Sequence, residues 1–244
     1  MKTELRGVSK RYKRVVALNK VTLEIAPGQI VAVLGSNGAG KTTLLRCLAA
    51  IASPDDGDIY YDDQPLRRDR LDLRRRFFFL PDFPSVFWGQ SILRNLGIVL
   101  RLYEADQSGV EEKVLELLRE FDLVPHAATP IEFLSRGQTY KAALAGLIAV
   151  NPEVWLLDEP FASGMDPQGI NVFKSSAREA VKNGATIIYT TQLLDLAERF
   201  ADRICVLHDG ELRAFDTVAN LRSQVGTGDN FLEDLFRKLR EDGQ

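Results

Sequence analysis

Between the apolar run Ile30–Leu34 and a helical pattern that extends to Ile51, the chain reads Gly35-Ser36-Asn37-Gly38-Ala39-Gly40-Lys41-Thr42-Thr43. This fits G-x-x-x-x-G-K-[ST] in the strand–loop–helix context that gives the pattern a physical meaning. Glycines let successive backbone N–H groups surround a polyphosphate, and the start of the helix adds the positive end of its dipole. Lys41 can reach the β- and γ-phosphates, and the Thr42 hydroxyl can bind Mg²⁺. The sequence therefore predicts a nucleoside triphosphate site; a Gly-rich turn that binds nothing is the alternative.

Two acidic residues follow a second apolar run. Asp158 and Glu159 come directly after the strand-like segment Val154–Leu157. They emerge at the carboxyl end of a predicted parallel strand, where open α/β sheets bind their ligands. Asp158 is the predicted Mg²⁺ partner, and Glu159 is placed to polarise an attacking water. A buried strand followed by a charged turn is the alternative interpretation.

The composition gives no sign of general affinity for polyanions. The 244 residues carry a formal net charge of −3, so no nucleic-acid partner is predicted. Cys47 and Cys205 stand alone without a metal or redox motif, as is usual in a reducing compartment. The longest apolar stretch, 142–150, is too short to cross a bilayer, and no signal peptide is recognisable. We expect a cytoplasmic protein, which can still dock on a membrane partner.

One segment is strongly basic. Because Asp69 and Asp72 dilute its charge, a solvated surface segment is the favoured interpretation. Contact with anionic lipid heads or with a membrane partner is the alternative. The arginines concerned are Arg67, Arg68, Arg70, Arg74, Arg75 and Arg76.

The period of the apolar residues changes along the chain. Alternation before residue 30 predicts half-exposed antiparallel strands, and a helical period follows from 91 to 150. Strands then alternate with helices, as in a parallel sheet. We therefore predict an α/β fold, a P-loop NTPase core with a mixed and parallel sheet and an N-terminal antiparallel β subdomain. Its expected segments are the core over 1–82 and 151–216, an inserted α-helical subdomain over 83–150 and a C-terminal helical tail over 217–244.

A short motif before the helix that ends near Val150 narrows the class. It reads Leu134-Ser135-Arg136-Gly137-Gln138. Together with the phosphate loop and the acidic pair, it resembles the L-S-G-G-Q signature of ATP-binding cassette (ABC) ATPases, with Arg136 replacing the first of the paired glycines. The serine hydroxyl, the glycine N–H and the helix N-terminus form an anion site. In that family the site closes over the γ-phosphate held by the other subunit, although a simple N-cap serine also explains the motif taken alone.

The resemblance extends over nearly the whole chain and implies further roles. Tyr12 lies where the family stacks an aromatic ring on adenine, with Val16 in the same nucleotide contact; an exposed strand tyrosine is the alternative. Ser163 and Asp166 match the S-G-L-D-like loop that links the two sites of a dimer. The amphipathic stripe over 231–239 looks like the terminal segment of drug-exporter-type ABC ATPases, and a helix that caps the core explains it equally well.

Two positions depart from the family pattern. Asp82 follows Leu80-Pro81, where the family usually has glutamine and exporter-type relatives often carry an acid. It can still hold Mg²⁺ or water, but it is shorter than glutamine and charged. Gln192 stands where the family has a catalytic histidine, and its amide offers a donor that cannot become a cation. These changes spare nucleotide binding and predict slow hydrolysis.

The resemblance implies an ATPase with ATP and Mg²⁺ as cofactors. Two copies, or this chain and a second cassette, would bind Mg-ATP in a head-to-tail sandwich and power a separate membrane-spanning permease, most like an exporter. The resemblance thus implies a cytoplasmic protein that is peripheral on the inner face of the cell membrane. A regulatory ABC module that clamps ATP with weak hydrolysis is one alternative. A soluble ABC mechanoenzyme acting on nucleic acid or protein complexes is another.

Overall fold

The computed structural model describes residues 1–225 and 231–241. Its strands are β1 (Thr3–Tyr12), β2 (Val15–Ile25), β3 (Ile30–Leu34), β4 (Asp56–Tyr61), β5 (Gln64–Pro65), β6 (Phe77–Leu80), β7 (Val154–Leu157), β8 (Thr186–Thr191), β9 (Arg203–His208) and β10 (Glu211–Thr217). Its α-helices are α1 (Lys41–Leu48), α2 (Leu71–Arg74), α3 (Ile92–Leu102), α4 (Val110–Glu120), α5 (Arg136–Val150), α6 (Pro167–Lys182), α7 (Leu194–Phe200), α8 (Val218–Val225) and α9 (Phe231–Glu241). Short 3₁₀ helices occupy Val124–His126 and Ile131–Phe133.

The N-terminal strands form a small antiparallel sheet. Its order is β2-β1-β4-β5, and Thr3 of β1 lies opposite Ile25 on one side and Tyr61 on the other. Along β1, Leu5 and Val8 are fully buried while polar neighbours face outward. The antiparallel strands predicted from the alternating pattern are therefore confirmed.

A second sheet carries the strands that precede the candidate motifs. Its order is β10-β9-β3-β8-β7-β6; the strands from β9 to β6 run parallel, and β10 pairs antiparallel with β9. The α/β fold with a mixed sheet is therefore confirmed. Because parallel strands point the same way, the carboxyl ends of β3, β7 and β8 meet at one edge.

The large sheet is covered on both faces. Ile30, Ala32 and Leu34 of β3 pack with the helices on one side, whereas Val31 and Val33 face a second cluster shared with α1 and the small sheet. Strands buried on both faces read as continuous apolar runs rather than as alternating ones. This is why β3 and β7 lack the alternation that marks β1.

Three helices lie within segment 83–150. Helices α3 and α4 both pack against α5. Helix α5 buries most of its length, from Gly137 to Ala149, so it has no polar stripe. None of the helices within 1–225 and 231–241 combines the length and apolar character needed to cross a bilayer.

Two ends differ in detail from the sequence expectations. Helix α1 stops at Leu48 rather than continuing to Ile51, because Ala50 adopts a left-handed conformation with φ of 53°. In α9, Phe231, Leu232 and Leu235 are buried, as expected for an amphipathic stripe. The side chains of residues 238 and 239, and residues 226–230 and 242–244 of the expected tail, lie outside the described residues.

Candidate nucleotide site

The phosphate loop joins β3 to α1 through backbone that requires glycine. Gly40, the N-cap of α1, has φ of 102°, and a β-carbon there would lie 2.3 Å from the Ala17 carbonyl oxygen. Gly35 is equally confined, since a β-carbon would lie 2.5 Å from the Leu207 carbonyl oxygen. The loop therefore packs tightly on β2 and β9, and α1 begins directly after Gly40. A helix N-terminus at the end of such a loop is a place where backbone N–H groups bind anions.

Lys41 is the buried cation of the site. Its ammonium donates to the carbonyl oxygens of Gly35 (2.9 Å) and Ser36 (3.2 Å) and lies 4.0 Å from the nearer carboxylate oxygen of Glu159. Burial lowers the pKa of Lys41, and the charges of Glu159 and Asp158 oppose that shift. A desolvated ammonium held by neutral carbonyls is well placed to meet an anionic phosphate.

Thr42 and Asp158 provide neighbouring oxygens at the carboxyl ends of the strands. The Thr42 hydroxyl donates to Asp158 Oδ1 at 3.1 Å, and the Thr190 hydroxyl donates to the same oxygen at 2.6 Å. Hard oxygen ligands suit Mg²⁺, which usually takes one or two carboxylates and completes its shell with water and phosphate. Within the described residues, no group of three or more His, Cys, Asp and Glu side chains gathers as an all-protein metal site. The donor set fits Mg²⁺ carried with a nucleotide.

Glu159 is held by an unusual backbone conformation. Its φ is 49°, which is rare for a residue other than glycine, and its N–H donates to the Thr190 hydroxyl at 2.9 Å. Such strain persists where the surrounding structure fixes it and is often found at functional sites. Burial raises the pKa of Glu159, while Lys41 and a hydrogen bond from Gln192 act in the opposite direction.

Gln192 reaches the phosphate loop. Its amide nitrogen donates to Asn37 Oδ1 at 2.9 Å, so the end of β8 is tied to the middle of the loop. Together with the acidic pair, these residues surround a cavity of about 500 Å³. The cavity is lined by Val15, Ala17, Asn37, Gly38, Ala39, Gly40, Lys41, Thr42, Thr43, Asp82, Asp158, Glu159 and Gln192.

The predicted adenine contacts lie at the edge of this cavity. Tyr12 pairs across the β1–β2 hairpin with Val15, which lines the cavity, and Val16 follows it. The Tyr12 ring is 43% exposed, with the Lys10 ammonium 5.5 Å from its centroid. Tyr12 and Val16 thus flank the cavity without lining it, whereas Val15 and Ala17 line it and were not singled out from the sequence.

The signature motif lies at the start of α5, in a different part of the structure from the phosphate loop. Ser135 and Gln138 form a capping box: the Ser135 hydroxyl accepts from the Gln138 N–H, and the Ser135 N–H donates to the Gln138 side chain. Leu134 precedes the cap and packs partly against the core. At Gly137, a β-carbon would lie 2.4 Å from the Gly164 carbonyl oxygen, so the motif packs directly on the loop 163–166.

The loop 163–166 is itself firmly anchored. Ser163 is fully buried and donates to the Pro160 carbonyl oxygen at 2.9 Å. Asp166 caps α6 through the Gly169 N–H and binds the Lys141 ammonium at 2.5 Å. Lys141 and then the Gly169 N–H lower the pKa of Asp166.

Asp82 links the two parts of the site. Its carboxylate lines the phosphate cavity and also accepts from Arg136 Nη2 of the signature at 2.5 Å. Both residues were predicted near nucleotide, Asp82 at the metal and Arg136 in the signature, but no pattern in the sequence indicates that they meet. Thr190, which hydrogen bonds with both Asp158 and Glu159, was also not predicted. The only feature of the sequence that could have indicated this role is the position of a polar residue at the end of an apolar strand.

Three of the six arginines of the basic segment form ion pairs within the chain. Arg70 binds Asp72, Arg75 binds Glu104 at 2.8 Å, and Arg76 binds both Asp62 and Glu153. These exposed pairs support the interpretation as a solvated surface segment.

Comparisons with known proteins agree with this geometry. A family model described as ABC transporter matches residues 18–162. EcsA of Bacillus subtilis (strain 168), an ABC-type transporter ATP-binding protein, is 31% identical over 231 residues, covering 95% of this chain and 93% of that protein. The daunorubicin resistance ATP-binding protein DrrA3 of Streptomyces coeruleorubidus is 35% identical over 238 residues, covering 98% and 73% respectively.

Among solved structures, a dimeric post-hydrolysis state of the ATP-binding cassette MJ0796, bound to ADP and Pi, superposes with a TM-score of 0.79. It is 27% identical and the match covers 88% of this chain and 98% of that one. By their names, the relatives include both export and import ATP-binding proteins.

Proposed function

This chain belongs to the ABC transporter family of ATP-binding proteins, and from that premise we propose that it hydrolyses Mg-ATP to drive a separate membrane-spanning subunit. One observation carries the proposal. Lys41, Thr42, Asp158 and Glu159 line the same cavity, at the edge where β3 and β7 end. A buried cation, two neighbouring hard oxygens and a carboxylate of raised pKa are the groups that phosphoryl transfer to water requires.

Each residue then has a distinct part in the reaction. Lys41 and the loop amides bind the β- and γ-phosphates, and Thr42, Asp158 and Asp82 are the residues that would hold Mg²⁺. When bound, Mg²⁺ neutralises charge on the phosphates. Glu159 accepts the proton of a water whose oxygen bonds to the γ-phosphorus while the bond to ADP breaks.

The signature motif supports a head-to-tail pair of subunits. The exposed start of α5 offers the N–H groups and dipole of a helix N-terminus to an anion. Ser135 and Gly137 would therefore bind the γ-phosphate held by a second copy or a second cassette. The dimeric state of the related cassette bound to ADP and Pi is consistent with this arrangement.

An aromatic patch near Asp82 supports docking on a membrane subunit. Phe83, Phe87 and Trp88 are all exposed, and the rings of Phe83 and Trp88 stack with centroids 5.6 Å apart. Leu93 on α3 is also exposed. Large exposed apolar patches mark interaction sites, so segment 83–150 would contact the permease beside the phosphate cavity, from the cytoplasmic face of the membrane.

Export is the proposed direction. Support comes from DrrA3, whose name assigns it to daunorubicin resistance, since removal of a toxic compound confers resistance. A nucleic-acid role has no support from the charge of the chain.

Steady-state release of phosphate from Mg-ATP tests the proposal. Lys41→Ala should abolish ATP binding in calorimetry, because it deletes the charge that meets the phosphates. Lys113→Ala is the matched control: Lys113 is also a lysine whose pKa burial lowers and which donates to a backbone carbonyl, that of Ala149, but it lies outside the cavity. Equal ATP affinity in the wild type and Lys41→Ala would show that the predicted phosphate loop does not bind ATP through Lys41.

A module that clamps ATP without useful turnover is the second candidate. The neutral Gln192 amide and the charged Asp82 favour it. In that case the wild type would bind ATP and release phosphate no faster than Glu159→Gln, whose amide cannot accept the proton of water.

A further inference from the structure

Asp82 and Arg136, two of the residues that differ from the usual family sequence, contact each other. Asp82 replaces a glutamine and Arg136 replaces a glycine, and the two side chains form an ion pair at 2.5 Å although 54 residues separate them. Asp82 follows β6 and lines the phosphate cavity, whereas Arg136 is the first residue of α5. One ion pair therefore joins the metal side of the site to the signature helix.

The Asp82–Arg136 pair is easily broken. The side chains are 48% and 49% exposed, respectively, and exposed ion pairs contribute little because water and salt screen them. A divalent cation is a stronger partner for a carboxylate than a screened guanidinium, and Mg²⁺ readily takes one or two carboxylates. Asp82 can therefore exchange one cation for the other at small cost.

The face of α5 that carries Arg136 borders the same charges. Tyr140, one turn later, is fully buried, and its hydroxyl has no hydrogen-bond partner among the described residues. Its pKa is raised well above the ordinary value, first by burial and then by the charges of Asp82 and Asp158. On a neighbouring side of the helix, Gly137 packs on Gly164. If Arg136 exchanges its partner, the change therefore occurs at a helix start that is closely packed against the loop 163–166.

We propose that Asp82 and Arg136 form a latch in which Asp82 exchanges Arg136 for the divalent cation of Mg-ATP. The exchange frees Arg136, at the start of α5, to meet the phosphates that a second copy presents. The latch rests on the proposed function, since it requires Mg-ATP in the phosphate cavity. Arg136 is in this sense a positioning residue for Asp82.

Binding of Mn²⁺ as a paramagnetic substitute for Mg²⁺ tests the latch without hydrolysis. Free Mn²⁺ would be followed by electron paramagnetic resonance, with protein in excess over a non-hydrolysable ATP analogue. Arg136→Ala should lower the Kd of Mn²⁺ by about two- to fivefold, the range that an exposed ion pair permits. Arg75→Ala is the matched control, because Arg75 forms a similarly exposed pair with Glu104 at 2.8 Å outside the cavity; its Kd should equal that of the wild type.

The Asp82→Ala background separates a latch from a general electrostatic effect. Once Asp82 is absent, Arg136→Ala should bring no further gain in Mn²⁺ affinity. An equal gain in Mn²⁺ affinity in both backgrounds would show that Arg136 acts only through its long-range electric field. No gain in the wild-type background would show that Arg136 does not compete with the cation for Asp82. Either result overturns the latch.

Arg136→Lys keeps the charge and loses the planar fork, so it should give a smaller gain than Arg136→Ala. Binding of the analogue in the presence of Mg²⁺ is measured separately by calorimetry. Its absence in the wild type would overturn the proposed function and the latch with it, whereas normal binding with unchanged Mn²⁺ affinity would overturn the latch alone.

Discussion

Gln192 is the residue whose chemistry most directly limits the proposed reaction. Its amide nitrogen donates to Asn37 of the phosphate loop, and the same amide acts to lower the pKa of Glu159. A histidine at this position can carry a positive charge toward the γ-phosphate as negative charge develops there. A glutamine can donate only a neutral hydrogen bond.

We expect Gln192→His to hydrolyse ATP roughly tenfold faster than a slow wild type, with little change in ATP affinity. A charged hydrogen bond contributes about 1.5–3 kcal/mol against about 1 for a neutral one, and the difference corresponds to about one decade in rate. The gain should shrink as the pH rises from about 6 to about 8, because imidazole loses its proton near pH 6.5. Rates of phosphate release across this range would measure it.

Gln192→Ala is the control for that comparison. If Gln192→His is no faster than the wild type while Gln192→Ala is inactive, the glutamine is itself the working γ-phosphate contact. The expectation of slow hydrolysis would then be wrong.

Among the elements, the start of α5 combines a local and a tertiary requirement. The capping box of Ser135 and Gln138 satisfies backbone groups that any helix N-terminus leaves unpaired. Gly137 meets a different need, because the loop 163–166 approaches so closely that no β-carbon fits. The signature is therefore joined to the loop predicted to link two sites of a dimer.

Gly137→Ala should lower the free energy of unfolding by about 1–3 kcal/mol, the usual cost of overpacking. The new β-carbon would lie 2.4 Å from the Gly164 carbonyl oxygen, and backbone moves less readily than a side chain. Gly97→Ala within α3 is the matched control, since a β-carbon there meets nothing within 4 Å. It should raise stability by about 0.5–1 kcal/mol through helix propensity. If urea unfolding shows Gly137→Ala to be as stable as the wild type or more stable, the predicted overpacking against Gly164 is wrong.

At the scale of the whole molecule, the phosphate cavity and the start of α5 belong to different parts of the chain. None of the signature residues lines the cavity, although Arg136 contacts Asp82, which does. An anion site at a helix N-terminus that lies outside its own phosphate cavity suits a ligand held by a second copy. This is the physical basis for the proposed head-to-tail sandwich.

Glu159→Gln should form a dimer in ATP that size-exclusion chromatography detects. The amide retains ATP but cannot take up the proton of water, so the nucleotide that joins the two copies persists. The double variant with Lys41→Ala should stay monomeric, because it loses ATP. Tight ATP binding by a monomeric Glu159→Gln protein would count against the sandwich.

Local patterns in the sequence were sufficient for much of this protein. Three features follow from local patterns: the fold class, the loop around Lys41 and the strand that precedes Asp158. The period of apolar residues, the spacing of glycines and the charges after strands all depend on residues that are near one another in the chain. The predicted end of α1 at Ile51 was wrong, because alanine at position 50 gives no indication in the sequence that the chain turns there in a left-handed conformation.

Only the tertiary structure decided which distant residues meet. Thr190 holds the acidic pair because β8 lies between β3 and β7, an order that the sequence of strands along the chain does not state. The contacts of Asp82 with Arg136 and of Gly137 with Gly164 likewise join segments that are far apart in sequence. Hydrophobic period specifies which face of an element is buried; the partner that it meets there depends on how the whole chain packs.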